Sequence, residues 1–335
     1  MDEPLRIGIL GAARINDLSI LQPARATGAR LVAVAARDRS RAESYAQAHG
    51  IERVLDSYAD VVNDPEVEAV YNPLPNSMHA PWNIAAVRAG KHVLTEKPFA
   101  SNAAEAQTVE RAAEGAGVVV FEGFHYAYHP IFARLLEVIT DGTLGSLQHF
   151  HVAMEMPAPD PSDLRWSWSL SGGSLMDLGC YCLHAIRTLG VRLGGEPRLT
   201  SVDATERRGL AQVDERALAS FELPGGATAT GLANMDGPWN FSMTATGSHG
   251  RAQLVNFIHV HEDDRLIIIN DDGERVEHLG TKPTYVYQLE AFTAAVRDGR
   301  PFPTTPSDAV ANMRLIDACY RAAGLRPREA TTPPR

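Results

Sequence analysis

Apolar and polar positions follow two different rhythms along this chain of 335 residues. In the first part, short unbroken apolar runs come at Leu5–Leu10, Leu31–Ala36, Val67–Tyr71, His92–Thr95 and Val118–Phe121. Helix-like segments lie between them, such as Arg39–His49 and Pro81–Ala89. Strands apolar on both faces, alternating with helices, predict βαβ crossovers and a parallel sheet covered on both sides. After Phe124 the rhythm changes. An amphipathic helix over Phe132–Thr140 stops at Asp141-Gly142, and strands are then predicted at Leu147–Met154, Arg198–Thr205, Glu215–Leu223, Ala227–Asn234, Phe241–Thr246, Ala252–Ile258 and Arg265–Ile269. Turn signals such as Pro224-Gly225-Gly226 and Asp271-Asp272-Gly273 imply antiparallel hairpins. Helices follow at Tyr285–Arg297 and Pro306–Ala323, and the Pro- and Thr-rich tail from Arg326 reads as mobile. The predicted fold is α/β: a doubly wound parallel domain over 1–123, then an α+β domain with a large open, mainly antiparallel sheet over 124–335.

Composition narrows the function. With 44% hydrophobic and 21% charged residues the chain is of the folded, globular kind. A net charge of −10 argues against nucleic acid or an anionic membrane as the main partner and leaves a small-molecule substrate. No apolar run reaches the length of a membrane span, and the acidic start Met1-Asp2-Glu3-Pro4 does not resemble a signal peptide. Cys180, Cys182 and Cys319 have no disulfide or metal-ligand spacing, which fits a reducing, cytoplasmic compartment. His149 and His151, like His259 and His261, alternate along predicted strands. They read as sheet surface rather than metal ligands, because no third ligand accompanies either pair, and no metal is expected.

Two stretches of the first domain suggest a dinucleotide. Gly11, Ala12, Ala13, Arg14 and Ile15 follow the first strand and open a helix. Gly11 permits a tight turn, and small side chains let backbone N–H groups approach a pyrophosphate. The usual G-x-G-x-x-G is incomplete, with Ala13 and Asn16 at its second and third glycines, but the loop's place on the first strand of a βα series supports it; a glycine-bearing turn of some other doubly wound fold is the competing reading. At the end of the second strand, Arg37 and Arg41 suit the 2′-phosphate of NADP, while Asp38 keeps NAD open. A solvated charge cluster is the alternative.

Two further stretches carry proton chemistry. Glu96-Lys97-Pro98 runs off the carboxyl end of a parallel strand, where such sheets bind ligands, and a cis bond before Pro98 would aim Lys97. Gly172–His184 reads as a turn and a helix, with Asp177, Tyr181 and His184 at i, i+4 and i+7 on one face.

With Pro73-Leu74-Pro75-Asn76-Ser77-Met78-His79 and Phe121-Glu122-Gly123-Phe124-His125-Tyr126-Ala127-Tyr128-His129-Pro130, these motifs resemble the Gfo/Idh/MocA family of oxidoreductases. The likeness is strongest to its branch with dimeric dihydrodiol dehydrogenase and NADP-dependent D-xylose dehydrogenase. It covers residues 5 to about 190; beyond that the strand pattern alone agrees. The resemblance implies a Rossmann domain, a second domain whose sheet mediates a homodimer or higher homo-oligomer, and a tyrosine, Tyr181, where many members carry histidine. It also implies that Leu74, Pro75, Asn76 and His79 line the cofactor groove, that Glu96 touches the nicotinamide ribose, and that Arg165-Trp166 lies against the nicotinamide. The competing readings are a helix cap for Asn76, a solvent-facing Glu96, and packing of Trp166 on Trp168.

The expected reaction is hydride transfer between NADP and a sugar, polyol or cyclic vicinal diol. Lys97 and Tyr181 would hold the substrate oxygen, and Tyr181 would move its proton. A free phenol titrates near ~10, and an adjacent ammonium would bring it down. Asp177 would orient Lys97. Phe124 and His125 would wall the substrate pocket, and His184 would touch substrate or serve structurally. The rivals are a non-catalytic NADP-binding regulator and an NAD-dependent glycosidase.

Overall fold

The computed structural model describes residues 3–331. They form two compact units. One takes the chain through Phe124, Tyr285–Ala311 and the stretch from Glu329; the other takes His125–Thr284 and Asn312–Arg328. This differs from the expected continuous second domain over 124–335, because Tyr285–Ala311 returns to the first unit. An aromatic cluster explains the return: Phe292 meets Phe121 edge-on at 5.2 Å, and Phe302 stacks on it at 4.1 Å.

In the first unit β1 (Arg6–Leu10), β2 (Arg30–Ala35), β3 (Ala69–Asn72), β4 (His92–Thr95) and β5 (Val120–Glu122) form one sheet, ordered β2-β1-β3-β4-β5. All neighbours are parallel, as the unbroken apolar runs predicted. Gly8 is needed inside β1, since a Cβ there would lie 2.6 Å from Val61 Cγ1. The chain leaves β1 for β2 on one side and returns to β3 on the other. A crevice therefore opens beyond the carboxyl ends of β1 and β3.

In the second unit β6 (Leu147–Glu155), β7 (Arg198–Glu206), β8 (Asp214–Glu222), β9 (Thr228–Asn234), β10 (Asn240–Gly247), β11 (Gly250–Leu254), β12 (Arg265–Asn270) and β13 (Gly273–His278) form a sheet ordered β13-β12-β11-β10-β6-β9-β8-β7. Neighbours are antiparallel except β6 and β9, which run parallel, so hairpin turns do not explain every junction. The edge strand β13 has one apolar residue, Val276, and no alternation by which sequence could announce it. The inner face carries Phe150, Val152, Met154, Ala229, Ala233 and Met243, all buried. Helix Cys180–Arg192 packs on β6 and β9. Its approach needs Gly231, where a Cβ would sit 2.9 Å from Cys182 Cβ. On the opposite face His149 Nδ1 and His151 Nδ1 lie 2.8 Å from Thr228 Oγ1 and Thr230 Oγ1, so this pair is sheet surface as expected.

Two expectations fail here. The tail from Arg326 is fixed where it is described: Arg328 is buried, donating to Asp214 Oδ1 at 2.8 Å and to Gly172 O at 2.7 Å. A buried carboxylate outweighs the loop-like composition around it. Strand β11 also stops at Leu254, short of Ile258. Asn256 Oδ1 accepts from the N–H groups of Ile258 and His259, so His259 and His261 lie in a loop. Among the described residues, no helix is long and apolar enough to cross a membrane.

Candidate active site

Every motif of the first unit follows a strand's carboxyl end. Gly11 turns with φ +98°, a left-handed conformation that favours glycine, and a Cβ there would press on Leu74 Cδ2 at 3.2 Å. Ala12 is buried, Ala13 and Ile15 are half-buried, and Arg14 is exposed. Asn16 Nδ2 closes the loop by donating to Gly11 O at 2.9 Å. Among the described residues no acceptor meets the N–H groups of Ala12 or Ala13, so both remain available to an anion. Arg37, Asp38 and Arg41 are exposed beyond β2. Arg41 Nη2 donates to Ala12 O at 2.6 Å, which holds its guanidinium beside the loop. Asp38 caps the next helix: its Oδ1 accepts from Arg41 N at 3.1 Å and Ser40 Oγ at 2.7 Å. Those bonds, the serine's first, hold the Asp38 carboxyl below its usual range. This loop fits a dinucleotide, and committing the acid to a cap leaves two arginines to meet a 2′-phosphate.

The loop after β4 is built around buried polar groups. Lys97 is half-buried and the Lys97–Pro98 bond is cis. His79 does not line a groove. It is 1% exposed, with Nδ1 2.7 Å from Pro98 O and Nε2 2.6 Å from Leu74 O, and so brackets the loops after β3 and β4. Leu74 is buried beside half-buried Pro75. Asn76 opens a short turn, Asn76–Met78, and does not cap helix His79–Arg88, whose N-cap is Met78. Glu96 does not face solvent: it is 6% exposed and accepts from the Tyr71 hydroxyl at 2.9 Å. Glu122, which sequence reasoning passed over, accepts from Phe99 N at 2.8 Å and fixes the chain two residues past Lys97. Gly123 is small because a Cβ would lie 2.9 Å from Thr95 O.

Burial pulls the His79 pKa from 6.5 down to about 4, against the two carbonyls, with Lys97 helping to lower it. Below 6.5 the unfolded chain binds the extra proton and the folded chain does not. Stability should therefore fall as pH drops from 6.5 towards 4, by about 1.4 kcal/mol per unit and about 3 kcal/mol in all. Urea unfolding of wild type and His79→Gln across this range checks it. The variant should lose that share of the slope; an identical slope would remove His79 as the cause.

In the second unit the helical stretch begins as a π-turn, Leu175–Gly179, and becomes α-helical at Cys180. Asp177 Oδ2 accepts from Arg165 Nε at 2.7 Å, a partner that sequence did not assign to it. The Asp177 carboxylate raises the Arg165 pKa. Trp166 is buried, but its ring carries the Arg207 guanidinium at 4.5 Å; it is Arg328 and Arg326 that sit over Trp168. The competing reading, Trp166 packed on Trp168, gives way to cation–π contacts. Tyr181 is 4% exposed, its hydroxyl 3.2 Å from His125 Nε2. His125 Nδ1 is 2.7 Å from Thr284 Oγ1, whose hydroxyl reaches Ile258 O at 3.3 Å. The tautomer of His125 sets which partner donates in each of its two contacts. His184 Nδ1 meets the Tyr126 hydroxyl at 2.5 Å, a buried structural contact. Phe124 is fully buried at the end of the first unit.

Residues 5–124 match a family model described as an oxidoreductase family, NAD-binding Rossmann fold, and residues 132–253 match the GFO/IDH/MocA C-terminal domain. The chain is 33% identical over 322 residues to D-xylose 1-dehydrogenase (NADP(+)) 2 of Haloferax volcanii, covering 95% of this chain and 97% of that one. It is 30% identical to the trans-1,2-dihydrobenzene-1,2-diol dehydrogenase of Bos taurus, over 75% of this chain and 74% of that one. A solved 3-ketoreductase of Actinomadura kijaniata, in complex with NADP and TDP-benzene, superposes with a TM-score of 0.88 at 26% identity, over 97% of this chain and 98% of that one. The chain belongs to the Gfo/Idh/MocA family of oxidoreductases.

Proposed function

We propose that this protein moves a hydride between NADP and a hydroxyl or carbonyl carbon of a sugar, polyol or vicinal diol, with Lys97 and Tyr181 as its catalytic residues. The observation that carries the reading is Tyr181 held, nearly buried, with its hydroxyl 3.2 Å from His125 Nε2. NADP supplies hydride chemistry at its nicotinamide when bound. Ala12 and Ala13 offer N–H groups to its pyrophosphate, and Arg37 and Arg41 meet its 2′-phosphate. Lys97 holds the substrate oxygen and favours its negative charge. Tyr181 takes the hydroxyl proton during oxidation and returns it to the carbonyl during reduction; His125 receives the phenolic proton between these states. Asp177, paired with Arg165, positions the start of the Tyr181 helix. Supporting this assignment, solved variants of the Actinomadura 3-ketoreductase replace one tyrosine or one lysine, 84 residues apart. Lys97 and Tyr181 have that same separation in this chain.

The test is a parallel screen of aldoses, inositols and vicinal diols with NADP+ and NAD+. At least one substrate should reduce NADP+ faster than NAD+, and failure with every substrate despite NADP binding would leave the regulator reading. Arg41→Ser should raise KM for NADP+ about tenfold to a hundredfold, the worth of a charge-assisted contact, with little change for NAD+. Equal effects on both cofactors would place Arg41 elsewhere. We also assign a homodimer to the outer face of the eight-stranded sheet, where His149, His151, Thr228 and Thr230 lie. Light scattering should give twice the chain mass, and His151→Glu should lower it to one; a monomeric wild type would contradict the assignment.

A further inference from the structure

The loop Val255–Asp264, which sequence read as strand, brings together a group outside the proposed active site. His259, His261 and Glu262 each offer a ligand atom, and all three atoms lie within 4.8 Å of one another. Glu262 is the third ligand whose absence had argued against a metal. It escaped notice because two histidines on a strand cannot bring in the next residue, which points to the other face, whereas in a turn they can. The turn is built from within: Glu262 N and Asp263 N donate to His259 O at 2.9 and 3.3 Å, and Asn256 Oδ1 holds His259 N at 2.8 Å.

We propose that His259, His261 and Glu262 bind a borderline divalent metal ion of the Zn2+ class, with one coordination position left open to the neighbouring cleft. Two imidazoles and a carboxylate form a donor set suited to such an ion, and three protein ligands are the number that leaves room for water or an added oxygen ligand. Tetrahedral coordination at 2.0–2.2 Å places donors about 3.3–3.6 Å apart. The exposed Glu262 carboxylate lies 3.9 Å from His261 Nε2, close to that spacing. The His259 ring leans on Phe241 at 5.6 Å, which holds the imidazole at the edge of the turn. Asp263 is committed to Arg265, with contacts of 2.8 and 2.6 Å, and is not a fourth ligand. The cleft, about 360 Å³, is lined by His259 and Glu262 together with Trp239, Phe241, Asn240 and Asn256, so the open position faces aromatic and amide groups.

Protein stripped with a chelator should be titrated with Zn2+ against a chromophoric competitor, under reductant. The expected result is one Zn2+ per chain at micromolar affinity or tighter. Binding should weaken at least tenfold in His261→Gln and in Glu262→Gln, and stay unchanged in the His149→Gln/His151→Gln control. Glu262 is exposed, so its variant keeps the fold intact if the histidine variant does not. Absence of saturable binding, or unchanged affinity in Glu262→Gln together with loss in the control pair, overturns the proposal.

Discussion

Lys97→Met should bind NADPH much as wild type does and lose turnover by about a thousandfold or more. The magnitude follows from removing a preorganised charge beside a developing oxyanion, a contribution of about 3–4 kcal/mol, together with weakened proton transfer at Tyr181. Binding should survive because the loop around Lys97 is held by other groups. His79 grips Pro98 O, and Glu122 grips Phe99 N. Neither contact uses the Lys97 ammonium. Methionine keeps the length of the side chain and removes only its charge. Tyr181→Phe should lose a similar factor in kcat, and the double variant should lose little more than the worse single one, because the proposed mechanism assigns both to one proton transfer. Steady-state rates with fluorescence titration of NADPH decide it. Turnover within tenfold of wild type in Lys97→Met would remove the lysine from the chemistry.

Arg328→Met should destabilise the protein by about 3–5 kcal/mol, which for a unit of this size lowers Tm by roughly 10 °C. Asp214 and Arg328 are both wholly buried and 2.8 Å apart. Asp214 also accepts from Ser174 Oγ at 2.8 Å, Leu175 N at 2.6 Å and Tyr320 Oη at 2.9 Å. Removing the guanidinium leaves a buried carboxylate whose charge nothing balances. The damage reaches the Tyr181 helix because the pair clamps the turn that launches it. Gly173 has φ +123°, and a Cβ there would collide with both Asp214 and Arg328. Thermal unfolding should show the loss, and kcat should fall with it. A Tm shift below about 2 °C would mean the pair is dispensable.

How much could be read from sequence depends on the distance between partners along the chain. The parallel sheet was legible because β1 to β5 are buried on both faces and so read as unbroken apolar runs. Gly11, Lys97 and Tyr181 were legible from their position after strands or on a helix face. Asp214 and Arg328 were not, since a pair 114 residues apart leaves no periodic trace and the tail's composition resembles a loop. The return of Tyr285–Ala311 to the first unit rests on Phe292 and Phe302 meeting Phe121, again a long-range match. His79 and Glu122 hid for a different reason. Each sits in a motif that suggests contact with a ligand, while its work is to grip a backbone group of this chain. His125 showed the reverse: it read as a pocket wall and lies against the Tyr181 hydroxyl.

The most direct test of hydride transfer is an isotope experiment on wild-type protein. A sugar or diol substrate carrying deuterium on the reacting carbon is incubated with NADP+, and the nucleotide is analysed by mass spectrometry. One deuterium should appear in NADPH for each product molecule formed, with both accumulating together. Substrate consumed without net NADPH, or NADP+ bound tightly with no substrate consumed, would contradict that reaction and point to the glycosidase or the regulator instead.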